Sequence, residues 1–256
     1  MSISMSILNQ NILGTIVAVL NDPAKLLISK TVFNYQFIYY SSPLCTLENK
    51  SDLFICACEN NMTDEVKLLL HYVDPSYREN QGFIDLCLNG NIELVKLLLA
   101  DKRVNPADQR NNAIIYACLV GNLEIVELLL ADKRVNPADQ RNHAIIYACI
   151  LKPNLEIVKL LLADERVNPA DQHNEAIINA CSSKNLELIK LLLADERVNP
   201  ADQNNRAAMC ACFDPYISDE NVFSLLLTDK RVSRTFDKRF PPARYVFGPR
   251  GAFRIM

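Results

Sequence analysis

From Asn112 to Asn142 the chain reads NAIIYACLVGNLEIVELLLADKRVNPADQRN, and almost the same letters return at His143–Asn174 and Glu175–Asn205. A tandem period constrains a chain more than local propensity does, because every copy must adopt one supersecondary unit and bury its apolar face against the next. Copies of one column, Cys87, Cys118 and Cys149, stand 31 residues apart, and Lys152-Pro153 adds one residue before Cys181. Looser copies lie at 52–80, at 81–111 and after Asn205.

The repeat has three parts. Ala113–Val120 is a short apolar run that Gly121 can end, since glycine accepts the left-handed conformation a helix terminus needs. Asn122 can cap a second helix, Leu123–Ala131, whose Leu123, Ile125, Val126, Leu128, Leu129 and Leu130 form a broad apolar face. The remainder, Asp132 to Asp139, is turn chemistry: Pro137 fixes φ, and the Asn and Asp side chains bond their own backbone. Helices this short do not stand alone in water. Stacking must therefore stabilise them, at roughly 1.5–3 kcal/mol for each large aliphatic side chain buried. The Leu128–Leu130 triplet and its copies are expected to carry most of that.

This repeat resembles the ankyrin repeat. The segment GNLEIVELLL at 121–130, followed by VNPAD at 135–139, is similar to that family's second helix and loop. The first helix departs from it, with Asn112-Ala113-Ile114-Ile115 where the family has Thr-Pro-Leu-His, and the period is shorter than the family's usual ~33. The family's Thr–His hydrogen-bond network therefore lacks its residues. The short form is similar to the arrays of amoebae and of the large DNA viruses that infect them. The resemblance implies an all-α, ankyrin-type helix-turn-helix solenoid over residues 52–232, of about six repeats. It also implies a scaffold that binds a partner protein along its concave face, with no enzymatic activity and no cofactor.

At 256 residues, half of them apolar, the chain can form one cooperative array of this kind. Its net charge of −3 hides an asymmetry, because residues 230–256 hold eight Lys/Arg against the single acid Asp237. The basic aromatic tail, 233–256, is expected to cap the last repeat or lie against the acidic array, either as irregular structure or without structure. Six of the nine cysteines (Cys58, Cys87, Cys118, Cys149, Cys181, Cys212) occupy one column of the first helix. Stacked helices sit roughly 10 Å apart, too far for disulfides, so these thiols read as small buried hydrophobes. No secretory signal is evident, and the apolar run Ile12–Leu20 is too short to span a bilayer. A cytoplasmic or nuclear monomer is expected.

Residues 1–50 lie outside the repeats. Ile12, Ile16, Val19 and Leu20 share a helical face, followed by Asn21-Asp22-Pro23, the Leu26-Leu27 pair, Val32-Phe33 and Phe37. This spacing is similar to an F-box, without that motif's opening Leu-Pro. The F-box likeness implies that Leu8, Ile12, Ile16, Leu26 and Leu27 would hold the adaptor subunit of a cullin-type ubiquitin ligase. The alternative is a helical cap shielding the first repeat, which solenoids need in any case.

Variation among the copies separates two faces of the first helix. Ile114, Ile115, Ala117 and Cys118 recur with little change, as inward packing demands, whereas positions 112, 116 and 120 do not recur. The i, i+4, i+8 spacing puts the variable positions on one stripe. That stripe presents Asp85, Asn89, Tyr116, Val120, Tyr147, Leu151, Asn179 and Ser183. Tyrosines with a polar rim suit a protein-binding site, although drift after duplication gives the same variation.

A second row, Asp101/Arg103 and its copies at 132/134, 164/166, 195/197 and 229/231, could track phosphates or neutralise itself. Self-pairing is the expectation. The three histidines share no column, and Cys56-x-Cys58 and Cys210-x-Cys212 lie at opposite ends, so no zinc site is expected. With no phosphate-binding glycine loop and no folded nucleic-acid module, neither catalysis nor specific nucleic-acid binding is expected.

Overall fold

The turn between the two helices of a repeat is set by two residues. In a computed structural model of the chain, Gly121 takes φ 77° and closes the helix Asp108–Val120. Asn122 then opens the helix Leu123–Ala131, its Oδ1 accepting the Ile125 amide at 3.1 Å. Asn91 and Asn185 cap their own helices in the same way, and Asn154 caps its helix by accepting the Glu156 amide two residues on. Where glycine is missing, Lys184 takes the left-handed position at φ 58°.

The structure describes residues 50–150, 153–212, 220–239, 245–248 and 251–254. They divide between Asn105 and Pro106 into two compact parts. The amino-terminal part contains α1 (Lys50–Glu59), α2 (Thr63–Leu69), α3 (Tyr77–Asn89) and α4 (Ile92–Leu99). Here α1 packs on α3, and α2 on α4. Phe54 and Phe83 are fully buried where the next three repeats have Ile114, Ile145 and Ile177 and the last has Ala208. Gly82 stands where those repeats have alanine, because a Cβ there would meet Cε1 of Phe54 at 2.9 Å.

The carboxy-terminal part contains α5 (Asp108–Val120), α6 (Leu123–Ala131), α7 (Asp139–Ala148), α8 (Leu155–Ala163), α9 (Asp171–Ser183), α10 (Leu186–Leu193), α11 (Asp202–Cys212), α12 (Glu220–Leu227) and α13 (Lys230–Arg239). First helices stack on first helices (α5, α7, α9, α11) and second helices on second helices (α6, α8, α10, α12). This is an all-α helical-repeat solenoid. Its core is Ile114, Ile115, Ala117 and Cys118 against Ile125, Val126 and Leu129, with the equivalent residues of later repeats. Of the leucine triplet only Leu129 is fully buried, while Leu128 and Leu130 are half-buried. Successive helical residues are rotated by 100°, so 125, 126 and 129 share one arc and 128 and 130 flank it.

The tail carries more structure than its sequence suggests. Internal repeats place proline two residues after the loop valine, at 106, 137, 169 and 200, whereas Arg234 holds that place after Val232. With no missing amide to stop it, α13 runs on to Arg239 and packs on α11 and α12. Beyond it β1 (Tyr245–Gly248) and β2 (Gly251–Arg254) form an antiparallel pair.

Candidate functional site

The first helices begin earlier than Ala113 and its copies suggest, with a three-residue left-handed turn. In the carboxy-terminal part residues 109–111, 140–142, 172–174 and 203–205 all have φ between 46° and 64°. In the amino-terminal part 78–80 do the same. Left-handed geometry costs an L-residue roughly 1–2 kcal/mol, so each turn needs compensation. The last residue of each turn is a buried asparagine: Asn80, Asn111, Asn142, Asn174 and Asn205.

These asparagines tie each repeat to the next. Asn111 Oδ1 accepts the Asn136 amide at 2.8 Å, and its Nδ2 donates to Asp139 Oδ2 at 2.9 Å. Asn142 does the same with Asn168 and Asp171, and Asn174 with Asn199 and Asp202. At the end of the column the Thr235 hydroxyl, on α13, lies 3.0 Å from Asn205 Oδ1. Within the amino-terminal part Asn80 Oδ1 accepts the Asn105 amide at 3.2 Å. A column of buried amides thus stands where the Thr–His network is missing. Its signal was in the sequence, as an asparagine that never varies beside neighbours that do.

The turns hold the following helices in register and so place the variable stripe. Tyr116, Tyr147 and Asn179 occupy equivalent positions on the stacked helices α5, α7 and α9. All three are half-buried, and among the described residues their polar side-chain groups have no hydrogen-bond partner. The Tyr147 ring stacks on His143, with centroids 5.2 Å apart and planes at 15°. Val120 is half-exposed at the helix end. Ser183 is committed to its own helix, donating to the Ala180 carbonyl at 2.9 Å. Leu151 lies outside the described residues, as do Leu8, Ile12, Ile16, Leu26 and Leu27 of the F-box-like segment.

On the amino-terminal part the stripe residues are more occupied. Asn89 Nδ2 donates to the carbonyls of Cys58 (3.1 Å) and Glu59 (2.9 Å), closing the end of α1. Asp85 accepts from Gln81 Nε2 at 2.8 Å through Oδ1, while Oδ2 is buried without a partner. Burial pushes its carboxyl up to about 6, with the charge of Glu59 adding to the shift and the Gln81 bond opposing it.

The Asp/Arg row neutralises itself, as its spacing suggests. Each arginine grips the aspartate two residues before it, with Nη2–Oδ2 distances of 2.6 Å at 103/101, 134/132, 166/164, 197/195 and 231/229. The paired guanidinium holds each of these carboxyls below the usual range. Arg166 and Arg197 also donate to the carbonyls of Val135 and Val167 in the preceding repeat. The cysteines of the column, Cys58, Cys87, Cys118, Cys149 and Cys181, are buried as free thiols. Burial raises them, Cys149 to about 12. Among the described residues no cluster of His, Cys, Asp or Glu could hold a metal ion, and no helix is long and apolar enough to cross a membrane.

Comparison with known proteins adds one finding. A family model described as ankyrin repeats (3 copies) matches residues 83–172 and again 145–235. No curated protein matches the chain.

Proposed function

The chain belongs to the ankyrin-repeat family, and on that premise we propose that it holds a partner protein on the stripe formed by Tyr116, Val120, Tyr147 and Asn179. One observation carries this reading: two tyrosine rings, half-exposed, with hydroxyls that bond to nothing among the described residues. Their backbone is fixed by buried neighbours on both sides, Ile115 and Ala117 for Tyr116, Ile146 and Ala148 for Tyr147. A rigid aromatic ring with a free polar tip is a typical anchor, because docking it costs little side-chain entropy and its hydroxyl still needs a partner. The work is binding rather than catalysis, and a monomer in the cytoplasm or nucleus would suffice.

The half-burial of both rings makes Tyr→Phe the informative change, since it keeps the packing and removes the hydroxyl. The full chain and its Tyr116→Phe/Tyr147→Phe variant are compared in pull-downs from eukaryotic cell extract, read by mass spectrometry, beside thermal melts. We expect equal melting and a set of proteins depleted from the variant. Retention of the same proteins at the same yield would remove the stripe from the binding surface.

A further inference from the structure

We propose that the carboxy-terminal part carries a second interaction surface, a basic ridge of Arg110, Arg141 and His173, that takes an acidic peptide in polyproline-type extended form. The three residues are the middle members of successive left-handed turns, with φ of 59°, 58° and 59°. All three are exposed, and their side chains make no hydrogen bond or ion pair among the described residues. The arginines of the loop row, by contrast, are each held by their own aspartate.

Two features keep the ridge available. The acids two residues before Arg141 and His173 are turned inward. Asp139 Oδ2 accepts from Asn111 and Oδ1 from the Gln140 amide at 2.6 Å, and Asp171 is held in the same way by Asn142 and the Gln172 amide. The backbone of the ridge is also tied rung to rung. Gln140 Nε2 donates to the Arg110 carbonyl at 2.9 Å, Gln172 to that of Arg141 at 3.1 Å, and Gln203 to that of His173 at 3.2 Å. A cleft of about 670 Å³ opens beside it, lined in part by Arg141, His173 and Arg206.

Spacing chooses the ligand. Stacked helices repeat every ~8–10 Å, and a polyproline helix returns to the same face every three residues, about 9 Å. A carboxylate at every third residue of such a peptide therefore meets Arg110, Arg141 and His173 on successive repeats, as a charge pair with the two arginines and as a hydrogen-bond acceptor from the imidazole. A β-strand presents one face every two residues, roughly 7 Å, and falls out of register. Asp171, Glu175 and Asp202 also stand in the cleft wall, the two aspartates bonded by Asn142 and Asn174 and Glu175 paired with Arg206 at 3.4 Å.

The test uses the full chain and a fluorescein-labelled peptide of repeated Glu-Pro-Pro, with repeated Glu-Pro and Lys-Pro-Pro of equal length as controls, read by anisotropy. Saturable binding of the Glu-Pro-Pro peptide is expected, weakening as salt rises. It should fall about tenfold in Arg110→Glu/Arg141→Glu, less in Arg110→Gln/Arg141→Gln, and not at all in Tyr116→Phe/Tyr147→Phe. That last variant separates this surface from the tyrosine stripe, so either can fail alone. No binding at low salt, equal binding of the Glu-Pro control, or full binding by a folded charge-reversal variant would each overturn the proposal. A single-stranded oligonucleotide that bound more tightly and lost its binding in the same variant would overturn the choice of peptide.

Discussion

Asn142 and Tyr147 lie five residues apart on one helix, and they differ in every physical respect. The first is asparagine in all its copies, is buried, and has both ends of its amide bonded to the next repeat. The second is Asp, Tyr, Tyr, Asn and Cys at 85, 116, 147, 179 and 210, is half-exposed, and its hydroxyl has no hydrogen-bond partner among the described residues. The difference shows how a repeat array divides its surface. The asparagine column that touches the neighbouring copy is held to one chemistry, because each amide both donates to and accepts from the repeat that follows. Columns that make no bond to a neighbouring copy among the described residues are free to vary.

The comparison is tested most severely in the core column. Leu129→Ala removes a fully buried side chain between stacked helices and should cost about 2–5 kcal/mol in denaturant unfolding. A loss under ~1 kcal/mol would mean that recurrence does not mark packing. Next comes Asn142→Ala, which strands the Asn168 amide and Asp171 and also puts a Cβ at positive φ without the amide that held it. The expected loss is about 2–3 kcal/mol. Asn142→Gly keeps the left-handed turn and loses only the bonds, so it should recover a fraction. Full recovery would assign the column to backbone geometry alone. On the stripe Tyr116→Ala and Tyr147→Ala should each cost about 1 kcal/mol, as half-buried rings.

How far these roles can be read from letters follows from where the bonding partner lies. Gly121 and Asn122 declare the helix turn because they act on amides within a few residues. The variable stripe was legible because the copies serve as their own comparison. The left-handed turns were not, since Gln-Arg-Asn has no propensity for three positive φ angles and is held by groups 25 to 29 residues further on. For the same reason nothing local told that Asn89 reaches back to the carbonyls of Cys58 and Glu59, or that Leu129 is buried and its two neighbours are not.

The smallest effect tests the one residue that belongs to both classes. Asp85 occupies a stripe position, yet one of its oxygens is buried without a partner, and its carboxyl is pushed up to about 6 by burial. An unfolded aspartate releases its proton near ~3.9, so between that value and about 6 the folded chain holds a proton the unfolded chain has lost. Stability from this group is therefore present below ~4, falls as pH rises through the window, and is absent above it. The Asp/Arg pairs run the other way: their carboxyls are lowered, so their contribution is present above the ordinary carboxylate range and is lost as pH falls below it. Asp85→Asn keeps the shape and fixes the neutral form. It should stabilise the protein by about 1 kcal/mol at pH 7, a figure reduced for the partial exposure of the side chain, and by almost nothing at pH 4. Denaturant melts at the two pH values read this directly. A variant no more stable than the parent at pH 7 would show that Asp85 is as free in water as Tyr147, and the division between the two kinds of column would then hold without exception.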